Sequence, residues 1–129
     1  MRVTLPTLRK EYDSNTDSVK VVRGSIQCTI DTSVYAETRW EQAFPETAKR
    51  YKLFDYIDML QNTKGSVDGR VYVAAMLKAV FCFMEFDELT SYKEFVQMFD
   101  LAQEDFCVEL IQKIRHLFDL AINGSATKN

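Results

Sequence analysis

The first thirty residues follow a rhythm of two, and the remainder a rhythm of three to four. In Ser25–Ile30 the apolar Ile26, Cys28 and Ile30 alternate with Ser25, Gln27 and Thr29. That is the pattern of a strand with one buried face. Ser18–Val22 is also rich in β-branched residues and is set apart by Arg23-Gly24. Arg2-Val3-Thr4-Leu5 is short and β-prone. Between them Glu11–Ser18 is polar, rich in Asp, Ser and Asn, and reads as a loop or turn. The pattern predicts a β-hairpin over Val19–Ile30, with Val3–Leu5 as an added strand. Two strands alone are marginal in water, so this element must lean on helices or on another subunit.

Helical periodicity begins after Asp31-Thr32-Ser33, three successive N-cap candidates. A helix is expected over Val34–Ala43, ended by Phe44-Pro45, because the residue before proline is pushed out of the α region. A second helix is expected over Ala48–Leu60, with Leu53, Phe54, Ile57 and Leu60 at helical spacing. Polar Gln61–Gly65 breaks it. A third covers Val71–Met84 and is apolar almost all round, the mark of a central or partner-covered helix. Glu85, Asp87 and Glu88 close it, although acids at a helix C-terminus oppose the macrodipole. Ser91-Tyr92-Lys93-Glu94 is a capping box, followed by a helix with Tyr92, Phe95, Val96 and Phe99 inward. The last helix runs over Gln103–Ile122 with a stripe of Cys107, Leu110, Ile111, Ile114, Leu117, Phe118 and Ala121. Glu109 and Lys113 form an i,i+4 pair on its other face. Asn123-Gly124 supplies a stop, and a flexible tail is expected over 124–129. The prediction is one α+β, mainly α domain over residues 1–129. Residues 1–30 form a β-hairpin or small sheet, packed on about five helices in 31–123.

Composition narrows the chemistry more than it defines it. The 129 residues carry 16 Lys+Arg against 19 Asp+Glu, a net charge of −3. Residues 1–50 hold eight positive and seven negative side chains, and residues 51–129 hold eight and twelve. Neither half is basic, so nucleic acid is not an expected partner. Cys28, Cys82 and Cys107 are odd in number and far apart, which suits free thiols in a reducing cytoplasm better than disulfides. No CxxC or Cys/His cluster suggests a metal. The most hydrophobic run, Val71–Phe86, is short and interrupted by Lys78 and Glu85, so no membrane association is expected. Met1–Lys10 has no stretch that reads as a signal peptide.

Each arrangement that could carry a reaction has a plainer explanation. His116, the sole histidine, lies in an apolar helical pattern with no local motif around it. The carboxylate pairs Asp55/Asp58, Asp87/Glu88 and Glu104/Asp105 fall on polar faces or helix ends, where they are solvated charge. Gly65 and Gly69 bracket Ser66-Val67-Asp68, but no Lys-Ser/Thr pair follows as a phosphate loop requires. Phe95–Ile114 has the outline of a helix-turn-helix. Its second helix, however, opens with Glu104 and Asp105 where base edges and phosphates would lie. Catalytic residues, cofactors and metals are therefore not expected. The aromatic and methionine content is more suggestive: one Trp, six Tyr, nine Phe and five Met. Most serve a core, but flexible Met-rich and aromatic faces also grip partner helices.

Two stretches carry a family likeness. Asp31-Thr32-Ser33-Val34-Tyr35-Ala36-Glu37-Thr38-Arg39-Trp40-Glu41-Gln42-Ala43-Phe44-Pro45-Glu46 is one. The other is Ala75-Met76-Leu77-Lys78-Ala79-Val80-Phe81-Cys82-Phe83-Met84-Glu85, followed by Tyr92-Lys93-Glu94-Phe95. Together they resemble the tail assembly chaperones of long-tailed bacteriophages and prophages of Gram-positive bacteria, in order and length over residues 1–129. The resemblance implies a non-enzymatic role in the host cytoplasm. Such chaperones coat the long helical tape-measure protein, keep it soluble, help recruit the tail-tube protein, and leave before the tail matures. The family's scheme of a short and a frameshifted longer product adds a further expectation. Thr127-Lys128-Asn129, if encoded ACA-AAA-AAC, contains a slippery heptamer.

On this reading the partners are the tape-measure protein, the tail-tube protein, further copies of the chain and its frameshifted longer form. The expected contact surface is Val34, Tyr35, Trp40 and Phe44 on the first helix with Met76, Val80 and Phe83 on the third. A helix-turn-helix DNA-binding regulator, or another phage tail structural or completion protein, is the alternative.

Overall fold

A computed structural model describes residues 1–89 and 91–124. Beyond residue 124 the expected tail and the Thr127-Lys128-Asn129 segment lie outside the described residues. The strands come first. β1 (Arg2–Asp13) and β2 (Ser18–Ile30) pair antiparallel without a break, from Arg2↔Thr29 to Asp13↔Ser18. The hairpin thus spans residues 2–30, not Val19–Ile30, and its turn is only 14–17. Asp17 takes φ +51° there, a left-handed conformation that Asp tolerates. The Asp13 carboxylate accepts from the Asn15 N–H at 2.9 Å, and the Tyr12 hydroxyl donates to Asp17 Oδ1 at 2.8 Å. Arg23-Gly24, expected as a separator, sits inside β2 opposite Leu8 and Thr7. A Cβ at Gly24 would lie 3.0 Å from Thr7 Oγ1, a tight contact that the Thr7 side chain would have to yield to.

A third strand, β3 (Met84–Phe86), was not anticipated. It pairs antiparallel with Cys28–Ile30, giving the order β1-β2-β3. The expected helix over Val71–Met84 therefore stops early, and Met84 and Phe86 point inward with Glu85 outward. This removes the conflict between Glu85 and a helix C-terminus, because Glu85 belongs to a strand.

Six helices follow among the described residues: α1 (Tyr35–Ala43), α2 (Pro45–Ala48), α3 (Leu53–Thr63), α4 (Gly69–Cys82), α5 (Tyr92–Val96) and α6 (Glu104–Asn123). The fold is α+β, mainly α, with a small N-terminal sheet on a helical body. The single helix expected over Ala48–Leu60 is two helices parted at residues 49–52. Pro45 opens α2 at its first turn, where a missing N–H costs nothing. The break is held by tertiary contacts: Trp40 Nε1 donates to the Tyr51 carbonyl at 3.0 Å, and Glu37 Oε2 accepts from the Leu53 N–H at 3.1 Å. Asp68 caps α4 through the Arg70 N–H at 2.8 Å, and Ser91 caps α5 through the Glu94 N–H at 3.2 Å. α6 ends at Asn123, as expected, and Gly124 caps it with φ −59°, a right-handed conformation.

Two apolar clusters form the interior. One joins Val3, Leu5, Ile26, Cys28, Ile30, Met84 and Phe86 of the sheet to Phe95 of α5 and Phe106, Leu110, Ile114 and Leu117 of α6. The other joins Ala36 and Trp40 of α1, Leu53, Tyr56 and Leu60 of α3, and Ala79 and Cys82 of α4. α4 lies between them. Its Leu77 and Val80, with the neighbouring Phe81, pack on the first cluster, while Tyr72, Ala75 and Met76 pack on the second. Double packing explains why this helix is apolar nearly all round. Glu109 pairs with Arg23 of β2 at 2.6 Å rather than with Lys113, and the Arg23 guanidinium stacks 5.6 Å from the Phe106 ring centroid. Among the described residues, no helix is long and apolar enough to cross a membrane.

Candidate protein-binding surface

The chain turns into α1 through a ladder of side-chain-to-backbone bonds. Asp31 Oδ1 accepts from the Ser33 N–H at 3.0 Å, and Ser33 Oγ accepts from the Tyr35 N–H at 3.3 Å. The turn leaves Val34 86% exposed and Tyr35 52% exposed. One helical turn on, Arg39 lies under the Tyr35 ring, 4.8 Å from its centroid. Its guanidinium reaches Asp31 Oδ2 at 3.1 Å, Glu85 Oε2 at 3.4 Å and the Cys82 carbonyl at 3.4 Å. Arg39 thereby ties α1 to the end of β2, the end of α4 and β3. Hydrogen bonds from Ser33, with Arg39 beyond them, hold the Asp31 carboxyl below its ordinary value.

The same junction positions Phe83. Its carbonyl accepts from the Asp31 N–H at 2.8 Å. Its ring lies 6.2 Å from Phe54 of α3 and 6.0 Å from Phe118 of α6. Phe54 is 55% exposed. Exposed apolar groups thus occur in two places linked to this junction: Val34 and Tyr35 at the start of α1, and Phe54 against the Phe83 ring.

The seven residues expected as a contact surface separate into three groups. Val34 and Tyr35 are on the surface, and Phe83 is half-buried beside exposed Phe54. Phe44, Met76 and Val80 are half-buried and engaged mainly inside the chain. The Phe44 ring lies 5.3 Å from Trp40 and 4.9 Å from Tyr92, with Lys78 Nζ 5.6 Å above it. Trp40 is 0% exposed and packs 4.7 Å from the Tyr56 ring, so it is a core anchor and not a contact residue. Its position one residue beyond Arg39 turns it to the inner side of α1. Of the residues expected at helical spacing on this helix, Leu53 and Leu60 are buried, Phe54 is exposed, and Tyr56 takes an inward position instead. A second apolar face was hidden by the polar run at 11–18. Tyr12 and Val19 face each other across the ribbon, beside Val21, and all three are exposed.

Groups considered for catalysis are spread apart. The carboxylate pairs Asp55/Asp58, Asp87/Glu88 and Glu104/Asp105 are exposed, as is His116 on α6. Asp87 pairs with Arg2, which lowers its carboxyl value. Burial pushes the Cys28 thiol up to about 11 and the Cys82 thiol up to about 12, the opposite of what a nucleophilic thiolate needs. Cys107 is half-buried and donates to the Asp100 carbonyl at 3.1 Å. Among the described residues, no group of three or more His, Cys, Asp or Glu could hold a metal ion. In the helix-turn-helix outline, α5 is only five residues long, and exposed Glu104 and Asp105 open α6.

No family model, no characterised protein sequence and no solved structure matches this chain.

Proposed function

We propose that the chain is a non-enzymatic tail assembly chaperone of a long-tailed bacteriophage or prophage. It binds and solubilises the tape-measure protein in the host cytoplasm and helps recruit tail-tube protein. The observation that carries this reading is the running sequence of residues 31–46, 75–85 and 92–95, which resembles that of such chaperones.

Physical features of the surface support it. A long helical rod has apolar stripes that it cannot bury alone, and covering them calls for exposed apolar groups on a charged, soluble carrier. Val34, Tyr35 and Phe54 offer such groups, on a chain of net charge −3. Aromatic residues beside a fixed arginine are typical of residues that dominate protein–protein affinity. Weak contacts repeated along a rod by many copies add up through effective concentration.

Co-expression with the tape-measure protein of the same phage tests the proposal. The tape-measure protein should move from the insoluble to the soluble fraction and co-purify with the chain. A tape-measure protein that stays insoluble with the chain in excess refutes it.

A further inference from the structure

The distal ribbon is a two-stranded element with both edges open. β3 reaches only residues 28–30 of β2, and Arg9–Asp13 and Ser18–Val21 are exposed. Two strands without a third are marginal in water, and an open edge invites another strand. The register shows which groups each edge offers. Met1 and Ile30 exchange both hydrogen bonds, at 2.8 Å and 2.9 Å, so they form a hydrogen-bonded pair. Continuing in register, Val3, Leu5, Thr7, Arg9 and Glu11 bond to β2. Arg2, Thr4, Pro6, Leu8, Lys10 and Tyr12 therefore turn their backbone groups outward. Pro6 offers no N–H, which blunts the inner part of this edge. Leu8, Lys10 and Tyr12 remain able to pair.

We propose that the outer edge of β1, Leu8–Tyr12, pairs antiparallel with the same segment of a second copy about a two-fold axis at Lys10, joining the two three-stranded sheets into one of six strands. The hydrogen-bonding phase allows only registers in which outward residues meet outward residues. With Lys10 on the axis, Leu8 faces Tyr12 of the second copy, and the Arg9–Glu11 pair that each chain forms within itself at 2.6 Å meets its counterpart in reverse order, so that Arg9 faces Glu11 of the second copy, each twice. Glu11 then lies between Lys20 of its own β2 and Arg9 of the second copy, a row alternating in sign. The Lys10 side chains are each neutralised by Asp100 at 2.7 Å. On the same face, the Leu8–Tyr12 contacts extend the apolar patch of Tyr12, Val19 and Val21.

Neighbouring registers are worse. A shift of two one way sets Glu11 against its own copy. The other way sets Arg9 against its own copy and Tyr12 against donor-less Pro6. The outer edge of β2 offers no such match, because its charges between Ser18 and Ser25 are Lys20 and Arg23 alone. α6 packs against the inner part of the ribbon, where Glu109 meets Arg23 on β2 and Gln112 and Lys113 border Pro6 on β1, and Arg9–Asp13 beyond it are exposed. A two-fold pairing closes on itself and does not propagate into fibres.

The pairing does not depend on the chaperone reading, and its test uses the purified chain alone, so either can fail without the other. Sedimentation velocity over a concentration series should show a monomer–dimer equilibrium. Arg9→Glu and Glu11→Arg should each weaken the dimer by about tenfold, because each reverses two cross-strand pairs. An equimolar mixture of the two variants should associate again, since each supplies the charges the other lacks. Lys10→Pro, which removes an outward N–H as Pro6 already does, should abolish the dimer with unchanged circular dichroism. A monomer at every concentration up to the solubility limit overturns the proposal. So does a dimer that these substitutions leave unmoved, or a mixture no better than its components.

Discussion

Truncating Trp40 to alanine separates a core role from a contact role. The indole is fully buried against Phe44 and Tyr56, and its Nε1 holds the Tyr51 carbonyl at 3.0 Å. Removing a buried Trp side chain costs about 3–5 kcal/mol. Leaving the Tyr51 carbonyl without its donor adds about 1 kcal/mol, less if water reaches it. Against a stability of about 5–15 kcal/mol for a domain of this kind, the variant should approach its unfolding threshold. Trp40→Phe keeps a ring in the cavity and should cost less, about 1–3 kcal/mol, through lost volume and the lost hydrogen bond. Urea unfolding followed by far-ultraviolet circular dichroism gives both values, as shifts in midpoint at constant slope. Trp40 is the single tryptophan, so native fluorescence should be blue-shifted and move to the red on unfolding. A Trp40→Ala variant that loses less than about 1 kcal/mol would refute the packing of α1 on α3 and α4.

Other consequences are open to measurement. Tyr35→Ser combined with Phe54→Ser should leave stability within about 1 kcal/mol of the parent, as for exposed positions, while weakening capture of the tape-measure protein in a pull-down. Asp31, Asp87 and Asp100 have carboxyl values held below the ordinary 3.8 by Ser33, Arg2 and Lys10 respectively. Their contribution to stability is therefore complete above that value and is lost as the pH falls below it, so the urea midpoint should drop on acidification through this range, and less so in Asp31→Asn. A thiol reagent at mildly alkaline pH should modify Cys28 and Cys82 only after unfolding, and the half-buried Cys107 first in the native chain. Rapid native labelling of all three thiols would contradict the burial of the two interior ones.

What could be read from the sequence depended on whether a residue's role was fixed locally. The alternation of Ile26, Cys28 and Ile30 marked a strand with one buried face, and the Ser91–Glu94 spacing marked a helix start; both are present. The period of α6 placed Leu110, Ile114 and Leu117 correctly in the core. In the ribbon's outer half the β-branched Ser18–Val22 marked part of β2, but the outer half of β1 left no trace, because strand residues exposed on both faces have no reason to alternate. β3 was concealed because Phe83-Met84-Glu85-Phe86 continues the apolar run of α4, and only pairing with Cys28–Ile30 makes it a strand. The break before Leu53 depends on Glu37 and Trp40, distant in sequence, so helical period alone ran through it. Among the candidate contact residues, Trp40 failed for a related reason. Arginine followed by tryptophan reads equally as an interface pair and as a surface residue beside a core residue, and only the direction of α1 decides between them.

Light scattering coupled to size-exclusion chromatography of the purified chain mixed with refolded tape-measure protein shows whether the two form a soluble complex. A soluble complex holding several copies of the chain per tape-measure protein is expected, and it should disappear when Tyr35→Ser and Phe54→Ser are combined. A tape-measure protein that aggregates alone while the chain elutes unbound would contradict it.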